Sequence, residues 1–407
     1  MLKSRISRAS DSAFVAYAIF AAFGAYFCMY AFRKPLTVAT FGGEASLGED
    51  LTYKSALVIA QVAGYALSKF LGIKIISELK SRSRAILFVS LILLAEAALL
   101  LFAVVPAPWN VALLLLNGLP LGMIWGIVFS YLEGRRTSEI LGAGLSASFI
   151  VASGAVKSVG KWLMLEFGVS EFWMPAATGA VFLLPLLGFI FLLEQIPPPT
   201  PEDVALRSER APMNKAERRA LFRRFAPGLV LLITFYTLLT AYRDVRDNFA
   251  VEIWSALGFG DMPAIFTLSE IPIAVFVLGM LGATVWLKNH AQALRTYFWL
   301  VLCGALLVGG ATFLFENNAL GGAAWMVLAG LGLYVAYVPF NCILFDRMMA
   351  AFRLRGNAGF LIYVADAFGY LGSVAVLLWK DFGQAGIGWL QFFKVASYGL
   401  TAFGGLL

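Results

Sequence analysis

Twelve runs of about 20 apolar residues, separated by short charged or Gly/Pro-containing segments, constrain this 407-residue sequence more than any other feature. A run of that length matches an α-helix that crosses the hydrocarbon core of a bilayer, and the long Leu/Ala/Val/Phe stretches lack the short alternation of β-barrel strands. Hydrophobic residues make up 60% of the chain and charged residues only 14%, a share too low for a typical soluble domain. We therefore predict an all-α membrane protein with twelve transmembrane helices. The predicted spans lie near residues 13–38, 52–73, 85–105, 109–132, 142–162, 172–194, 226–250, 262–287, 296–315, 322–346, 357–379 and 388–406.

Lysine and arginine gather in alternate loops. They precede the first span and follow the second, fourth and tenth spans, whereas the intervening loops are acidic or uncharged. Because cytoplasmic loops retain basic residues, we expect both termini in the cytoplasm of a bacterial inner (plasma) membrane. The net charge of +7 follows from this bias, so we expect a lipid bilayer and no nucleic acid as the partner of the chain.

The residues that most often bind metals or act as nucleophiles are scarce. Cys28, Cys303 and Cys342 fall inside predicted spans, and the single histidine, His290, falls in a loop. This distribution favours neither a metal site nor a Ser/His/Asp arrangement, and we expect no cofactor and no enzymatic activity. A membrane-embedded enzyme is therefore the weakest alternative.

A Pro-rich and charged segment divides the chain. Residues 195–225 form a predicted cytoplasmic linker, with an amphipathic surface helix over 214–225, between six spans in 1–194 and six in 226–407. "YFCMYAFR", which ends at Arg33, matches "YTLLTAYR", which ends at Arg243, and "GLPLGMIWGIVFSYLEGR" resembles "GLGLYVAYVPFNCILFDR" at nearly the same shift. Two matches in register suggest an internal duplication that yields two pseudo-symmetric six-helix bundles.

This organisation resembles the major facilitator superfamily, whose members are built from two parallel six-helix repeats. The segment "SKFLGIKIISELKSRSRA" (68–85) is similar to the loop signature of that superfamily. The matching positions are Gly72, Glu78, Lys80, Arg82 and Arg84. The resemblance implies a cytoplasmic gate formed by Glu78, Arg82 and Arg84, although the positive-inside bias alone would also place basic residues there.

Charged residues also occur at membrane depth, where each is a candidate for a functional site. Arg33 and Lys34 lie late in the first span, and Arg243, Arg246 and Asp247 lie at the corresponding depth of the seventh. Their spacing of three and four residues predicts that the last three share one helical face. Two arginines from repeat-related helices are expected to meet near the pseudo-twofold axis, where their planar donor groups suit a phosphate or carboxylate.

The same residues resemble the organophosphate:phosphate antiporter branch of the superfamily. The similarity lies in Tyr26-x6-Arg33-Lys34, in Arg243-x3-Asp247 and in the "SKF" of residues 68–70. It implies that Arg33 and Arg243 hold an anion, with Lys34, Arg246 and Asp247 as neighbours. The histidine that this branch carries in its fifth helix is absent here, and Lys157 could supply the missing positive charge.

Other candidates follow from their depth in the spans. Side chains that could contact a solute in a central cavity are Tyr26, Trp125, Tyr337, Asn341 and Tyr363, although aromatic residues also pack at helix contacts. Asp366 and Glu270 are intramembrane carboxylates that, with Asp247, could couple transport to protons or ion pairs. For Asp366, a structural pair with Arg243, Arg246 or Lys157 is an equal alternative, and Glu96 is expected to have a packing or gating role.

Together these features predict a monomeric secondary transporter that moves a small organic anion, with a phosphate ester as one candidate. Rocking of the two bundles would expose the site alternately to each side, coupled to anion exchange or to protons. Arg33 and Arg243 would neutralise the anion, and Asp247 or Asp366 would pair with them in the empty site. A lipid-headgroup or lysolipid carrier, or a receptor or assembly protein that has lost transport, are the alternatives.

Overall fold

Helices dominate the computed structural model. It describes residues 2–47, 51–77, 79, 81–133, 135, 137–200, 203, 215–284, 287, 289–352, 358–384 and 386–406. Within these residues, twelve helical segments follow the order of the predicted spans. They are α1 (Asp11–Met29), α2 (Tyr53–Ser77), α3 (Arg84–Val104), α4 (Val111–Leu121 and Ile124–Leu132), α5 (Ser138–Phe167), α6 (Met174–Glu194), α7 (Lys215–Asn248), α8 (Ile265–Leu268 and Glu270–Thr284), α9 (His290–Glu316), α10 (Gly322–Cys342 and Leu344–Ala351), α11 (Ala358–Leu378) and α12 (Trp389–Gly404).

Most of these helices suit a membrane. In the part of the chain that the structure describes, 11 helices are long and apolar enough to cross a bilayer. The remaining one, α12, has 16 residues. At 1.5 Å per residue it is about 24 Å long, somewhat less than the hydrocarbon thickness. The prediction of an all-α chain with long apolar helices is therefore confirmed.

The first helix ends earlier than the apolar run predicts. α1 stops at Met29, and the chain continues through two short 3-10 turns, Tyr30–Phe32 and Pro35–Val38. In a continuing α-helix the ring of Pro35 would clash with the carbonyl group one turn earlier, so the chain leaves the helical path before it. Arg33 and Lys34 thus lie in a helix break and not on a helix.

The predicted amphipathic helix of the linker is not a separate element. α7 runs without interruption from Lys215 to Asn248, so it includes the described part of that segment, and residue 214 lies outside the described residues. Residues with high helix propensity, such as Ala, Leu, Arg and Glu, carry the helix through the charged region. The interior Pro227 removes one backbone hydrogen bond but does not end it.

Helix packing repeats between the two halves of the chain. In the first half α1 packs on α5 and α6, α2 on α4, and α3 on α4 and α6. In the second half α7 packs on α11 and α12, α8 on α10, and α9 on α10 and α12. Across the halves, α2 packs on α11 and α5 on α8. Each of these pairs has its counterpart six helices later, as expected for two repeats related by a pseudo-twofold axis.

Glycines allow the closest of these approaches. A Cβ atom at Gly64 of α2 would meet the carbonyl of Leu115, and one at Gly154 of α5 would meet the carbonyl of Phe266 across the two halves. Small residues are the usual means by which membrane helices pack closely. Below, the linker side is the side on which α1 and α7 begin, and the far side is the side on which they end.

Candidate functional site

Two buried amides hold the break after α1. The Asn117 side chain donates to the carbonyl groups of Phe32 and Ala95, each at 3.0 Å. Gln61 donates to the carbonyl of Arg33 at 3.2 Å and to Asn117 Oδ1 at 2.8 Å. The bonds to Phe32 and Arg33 replace the helical ones that the break removes, which is required where water is excluded, and the bond to Ala95 fixes the Asn117 side chain against α3. Sequence reasoning missed both amides, although each is a polar residue in the middle of an apolar run.

The break presents Arg33 to the interface between the halves. Its side chain is 3% exposed, and its guanidinium lies over the ring of Tyr65, 3.9 Å from the centroid, and 5.7 Å from that of Tyr370. Among the described residues no carboxylate pairs with it, and its buried Nε has no hydrogen-bond partner. A buried cation without an acceptor is costly, so such a group is a strong candidate to bind a ligand.

Arg243, the repeat-related arginine, has a different environment. Its Nη2 atom lies 2.9 Å from Asp244 Oδ1 and donates to the Tyr370 hydroxyl at 3.2 Å, while Nη1 donates to the Tyr337 hydroxyl. The guanidinium lies 5.4 Å from the Tyr370 ring, so both arginines flank the same aromatic side chain. The structure thus brings the two arginines together, and their role as anion ligands stays a prediction.

Asp247 does not pair with either arginine. It forms ion pairs with Lys34 at 2.5 Å and with Lys157, so it joins two lysines of the first half to the second half. The expectation that Asp247 neutralises Arg33 or Arg243 in the empty site is therefore wrong. Asp247 lies one turn nearer the far side than Arg243, level with the two lysines. The positive charge of Lys157 is therefore already paired with the carboxylate of Asp247.

Arg246 forms its ion pair and hydrogen bonds within the second half. It pairs with Glu270 of α8 at 2.6 Å and donates to the carbonyl of Met326 at 3.2 Å, so all its partners belong to the second half. Arg246 and Asp247 nevertheless line one small pocket, together with Lys157 and Glu270. Steps of three and four residues from Arg243 rotate by about 60° in one direction and about 40° in the other, which gives Arg246 and Asp247 different ion-pair partners.

Asp366 pairs with a residue that the sequence did not assign. Its Oδ2 atom lies 2.9 Å from Lys69 Nζ of α2, and its Oδ1 accepts a hydrogen bond from the Tyr236 hydroxyl at 2.5 Å. The expected partners Arg243, Arg246 and Lys157 are thus wrong. Lys69 is the central residue of the "SKF" motif, so a signal was present.

Lys69, Arg243 and Asp366 line a small central cavity of about 20 Å³. Arg33, Lys34, Lys157, Arg246 and Asp247 do not belong to its wall. Both halves contribute to its wall, which consists of Tyr26, Tyr30, Tyr65, Lys69, Trp125, Phe149, Arg243, Tyr337, Asn341, Asp366 and Tyr370. Four of the five predicted solute-contacting side chains are among them. The exception, Tyr363, is partly buried on α11 outside this wall.

The charges around the cavity do not balance. The buried and half-buried ionic side chains in and beside it comprise seven cations, Arg33, Lys34, Lys54, Lys69, Lys157, Arg243 and Arg246, and six carboxylates, Asp244, Asp247, Glu252, Glu270, Asp366 and, near the α1 break, Glu96. The Lys54–Glu252 pair, at 2.5 Å, is a further link between the halves on the far side. The excess of positive charge favours an anionic ligand.

The predicted cytoplasmic gate is only partly described. Glu78 lies outside the described residues, and Arg82 is exposed to solvent. The Arg84 guanidinium lies 5.1 Å from the ring centroid of Tyr131. No group of three or more His, Cys, Asp or Glu residues that could hold a metal occurs in the described ranges.

Solved structures of secondary transporters share this architecture. A D-xylose-proton symporter aligns over 96% of this chain and 97% of its own, with a TM-score of 0.63 and 15% identity. The nucleoside transporter NupG aligns over 96% and 97%, with a TM-score of 0.61 and 14% identity. A POT family transporter in complex with a thioalcohol conjugated peptide aligns over 96% and 94%, with a TM-score of 0.63 and 14% identity.

The fold and the interface between its halves define the class: this is a multi-pass membrane protein with the major facilitator fold, as predicted. More narrowly, the chain belongs to the family described as "Family of unknown function (DUF5690)", whose model matches residues 35–407. No curated protein matches the sequence. The resemblance to the organophosphate:phosphate antiporters rests on the sequence motifs alone.

Proposed function

We propose that the protein is a secondary transporter of a small organic anion, with phosphate esters as one candidate class, that works by alternating access. Its fold is shared with a sugar symporter, a nucleoside transporter and a peptide-binding transporter, which supports transport in preference to enzymatic catalysis. The fold does not select the substrate. That part of the proposal depends on the charges at the interface.

Arg33 is the observation that carries the anion assignment. Its guanidinium is buried between two tyrosine rings, and no described residue accepts a hydrogen bond from it. Two oxygens of a phosphate or carboxylate group would satisfy its planar donors and offset part of the excess positive charge. Arg243, which lies 5.4 Å from the same Tyr370 ring, would contact the same anion from the second half.

The way in which the halves are joined supports alternating access. The far side is closed by ion pairs that cross between them, from Lys34 and Lys157 to Asp247 and from Lys54 to Glu252. Opening that side must separate these pairs, whereas an anion bound to arginines of both halves would hold the centre together. A ligand that binds one arrangement better shifts the population toward it.

A ligand screen followed by counterflow tests this function. Purified full-length protein is heated with glycerol 3-phosphate, glucose 6-phosphate, inorganic phosphate or succinate, and with the neutral analogues glycerol and glucose. We expect stabilisation by at least one anion and none by its neutral analogue. Counterflow of the stabilising anion in proteoliposomes then distinguishes a transporter from a receptor or assembly protein.

The site assignment is tested by conservative variants. Arg33→Lys and Arg243→Lys keep the charge but lose the bidentate geometry, and each should abolish uptake. The matched control is Arg223→Lys, at an exposed position on the linker-side extension of α7, which should transport normally. Normal uptake by either site variant would refute the assignment.

A lysolipid carrier is the second candidate. An apolar groove of about 420 Å³ lies between the halves, bordered by Ile19 and Phe23 of α1, Ala147 of α5, and Leu278 and Gly282 of α8. Its lining suits an acyl chain while an anionic head group binds the arginines. Greater stabilisation by a lysophospholipid than by glycerol 3-phosphate, abolished in Arg33→Lys, would favour this candidate.

A further inference from the structure

Lys69 and Asp366 form an ion pair in the wall of the central cavity, and this pair joins the two halves. Lys69 belongs to α2 and is 3% exposed, Asp366 belongs to α11 and is 6% exposed, and the Nζ and Oδ2 atoms are 2.9 Å apart. Asp247 is held by two lysines, whereas Asp366 has one cation and one hydroxyl partner. The ion pair of Asp366 can therefore break with the loss of one cationic partner, whereas Asp247 would lose two.

Asp366 is also the only carboxylate among the described residues that line this cavity. The titratable and charged groups that face it come from four helices. They are Lys69 and Tyr65 from α2, Tyr236 and Arg243 from α7, Tyr337 from α10, and Tyr363 and Tyr370 from α11. Its other close neighbour is the neutral amide of Asn341, which contacts the Tyr236 hydroxyl at 3.1 Å.

A chain of contacts connects this pair to the arginine of the second half. The Tyr236 hydroxyl, which donates to Asp366, lies 3.0 Å from the Tyr337 hydroxyl, and Tyr337 accepts a hydrogen bond from Arg243. A change in the charge of Asp366 therefore affects Arg243, beside which the anion is expected to bind. Conversely, an anion beside Arg243 would lie near the carboxylate and repel it in this low-dielectric interior.

We propose that Asp366 takes up a proton when the anion binds, which releases Lys69 as a third cationic ligand and makes the transport proton-coupled. A proton from water adds to Asp366 Oδ2, and the hydrogen bond from Lys69 to that oxygen breaks. Lys69 keeps its three protons and its charge, and donates instead to an oxygen of the anion. Oδ1 still accepts from Tyr236.

The exchange has a conformational consequence. The Lys69–Asp366 pair lies between α2 and α11, which pack on each other across the halves. A neutral Asp366 no longer holds the Lys69 charge, so the electrostatic link between these helices is lost when proton and anion are both bound. The two ligands together therefore favour the relative motion of the halves that carries them across. This inference rests on the proposed function and assigns its coupling ion.

Sulfate is the probe that tests the proposal, because its charge of −2 does not change between pH 5 and pH 8, so any pH dependence belongs to the protein. Binding of radiolabelled sulfate to purified full-length protein is measured by equilibrium dialysis across that range. If each sulfate takes up one proton, its affinity should rise by up to tenfold for each unit that the pH falls. Asp366→Asn should bind sulfate at pH 8 with an affinity near that of the wild type at low pH, without the slope.

Three further variants test which side chain produces the pH dependence of sulfate binding. Lys69→Gln should weaken sulfate binding and remove the slope. His290→Gln replaces the only histidine of the chain, the other group that ordinarily titrates in this range, and Glu316→Gln replaces an exposed carboxylate; both should keep the wild-type slope. An equal slope in wild type and Asp366→Asn, or unchanged binding in Lys69→Gln, would overturn the proposal.

A measurement on the wild-type protein removes any dependence on how the variants fold. Sulfate added to concentrated, weakly buffered protein should raise the pH by an amount equal to about one proton per bound sulfate. Binding without proton uptake would overturn the coupling but leave the anion transporter intact. Absence of sulfate binding at every pH, with no stabilisation by any anion of the screen, would refute the proposed function and this inference with it.

Discussion

The carboxylate of Asp247 neutralises two lysines at once, so its replacement by asparagine is the most direct test of how the far side is closed. Asn has the same shape and keeps its hydrogen-bonding ability but carries no charge. Lys34 and Lys157 would then lie in the interior with their side chains only 3% exposed and with no carboxylate in an ion pair with them. We expect this variant to be strongly destabilised.

The size of the effect follows from the burial of all three groups. Removal of one partner from a buried ion pair costs about 3–5 kcal/mol, because the other charge stays behind without compensation. Two lysines lose their partner here, but each keeps a second acceptor: the carbonyl of Asp247 for Lys157 at 2.5 Å, and Asn248 Oδ1 for Lys34 at 2.8 Å. Because these acceptors remain, the free energy of unfolding should fall by about 4 kcal/mol. Without them it should fall by twice the value for a single pair.

Unfolding in a mixed-detergent titration, followed by tryptophan fluorescence, measures this loss. The control is Glu316→Gln, whose pair with Lys394 has a similar length, 3.0 Å, but lies at the surface. An exposed pair contributes about 0–1 kcal/mol, so the two variants should differ by about 3 kcal/mol. Addition of Lys157→Met to Asp247→Asn should recover part of the loss, since one uncompensated charge is removed. Equal losses in Asp247→Asn and Glu316→Gln, or no recovery in the double variant, would refute this reasoning.

Three other substitutions, one of them with a control variant, test separate parts of the structure. Asn117→Leu leaves the buried Phe32 carbonyl at the α1 break without a donor, and should cost about 1–3 kcal/mol in the same titration and weaken sulfate binding. Gly154→Ala places a Cβ against an α8 carbonyl and should slow counterflow, whereas Gly188→Ala, which meets nothing within 4 Å, should leave counterflow unchanged and stabilise α6 by up to about 1 kcal/mol. Asp244→Asn frees the donors of Arg243 and should tighten sulfate binding about tenfold, measured by dialysis.

The transmembrane helices were predictable because lipid permits few alternatives. A span must be apolar over its full length and must satisfy its own backbone, so composition alone locates it. The ends were less predictable. Pro35 ends the helical path of the first span, whereas Pro227 lies inside a continuous helix. The difference at the first span arises from Gln61 and Asn117, which supply donors to the broken turn from other helices.

The charged residues at membrane depth were also predictable, but their partners were not. Helical spacing indicates which residues share a face, and by that rule Asp244 should not contact its neighbour Arg243. The long arginine side chain nevertheless folds back onto the adjacent carboxylate, with Nη2 2.9 Å from Oδ1. Lys69 was missed as a partner of Asp366 because they are 297 positions apart in the sequence and meet only where the halves pack. Pairing across the interface is a property of the tertiary structure.

The two repeat-related arginines have diverged in a way that assigns them different tasks. After Arg243 the helix continues to Asn248, and the chain places Asp244 beside the guanidinium. At Arg33 the helix has already ended, and the described structure places aromatic rings against that guanidinium but no carboxylate within ion-pair distance. Arg243 is therefore neutral with its partner before an anion arrives, whereas Arg33 is not. We expect the anion to gain most of its electrostatic stabilisation from Arg33, and Arg243 to serve mainly to orient it toward the second half.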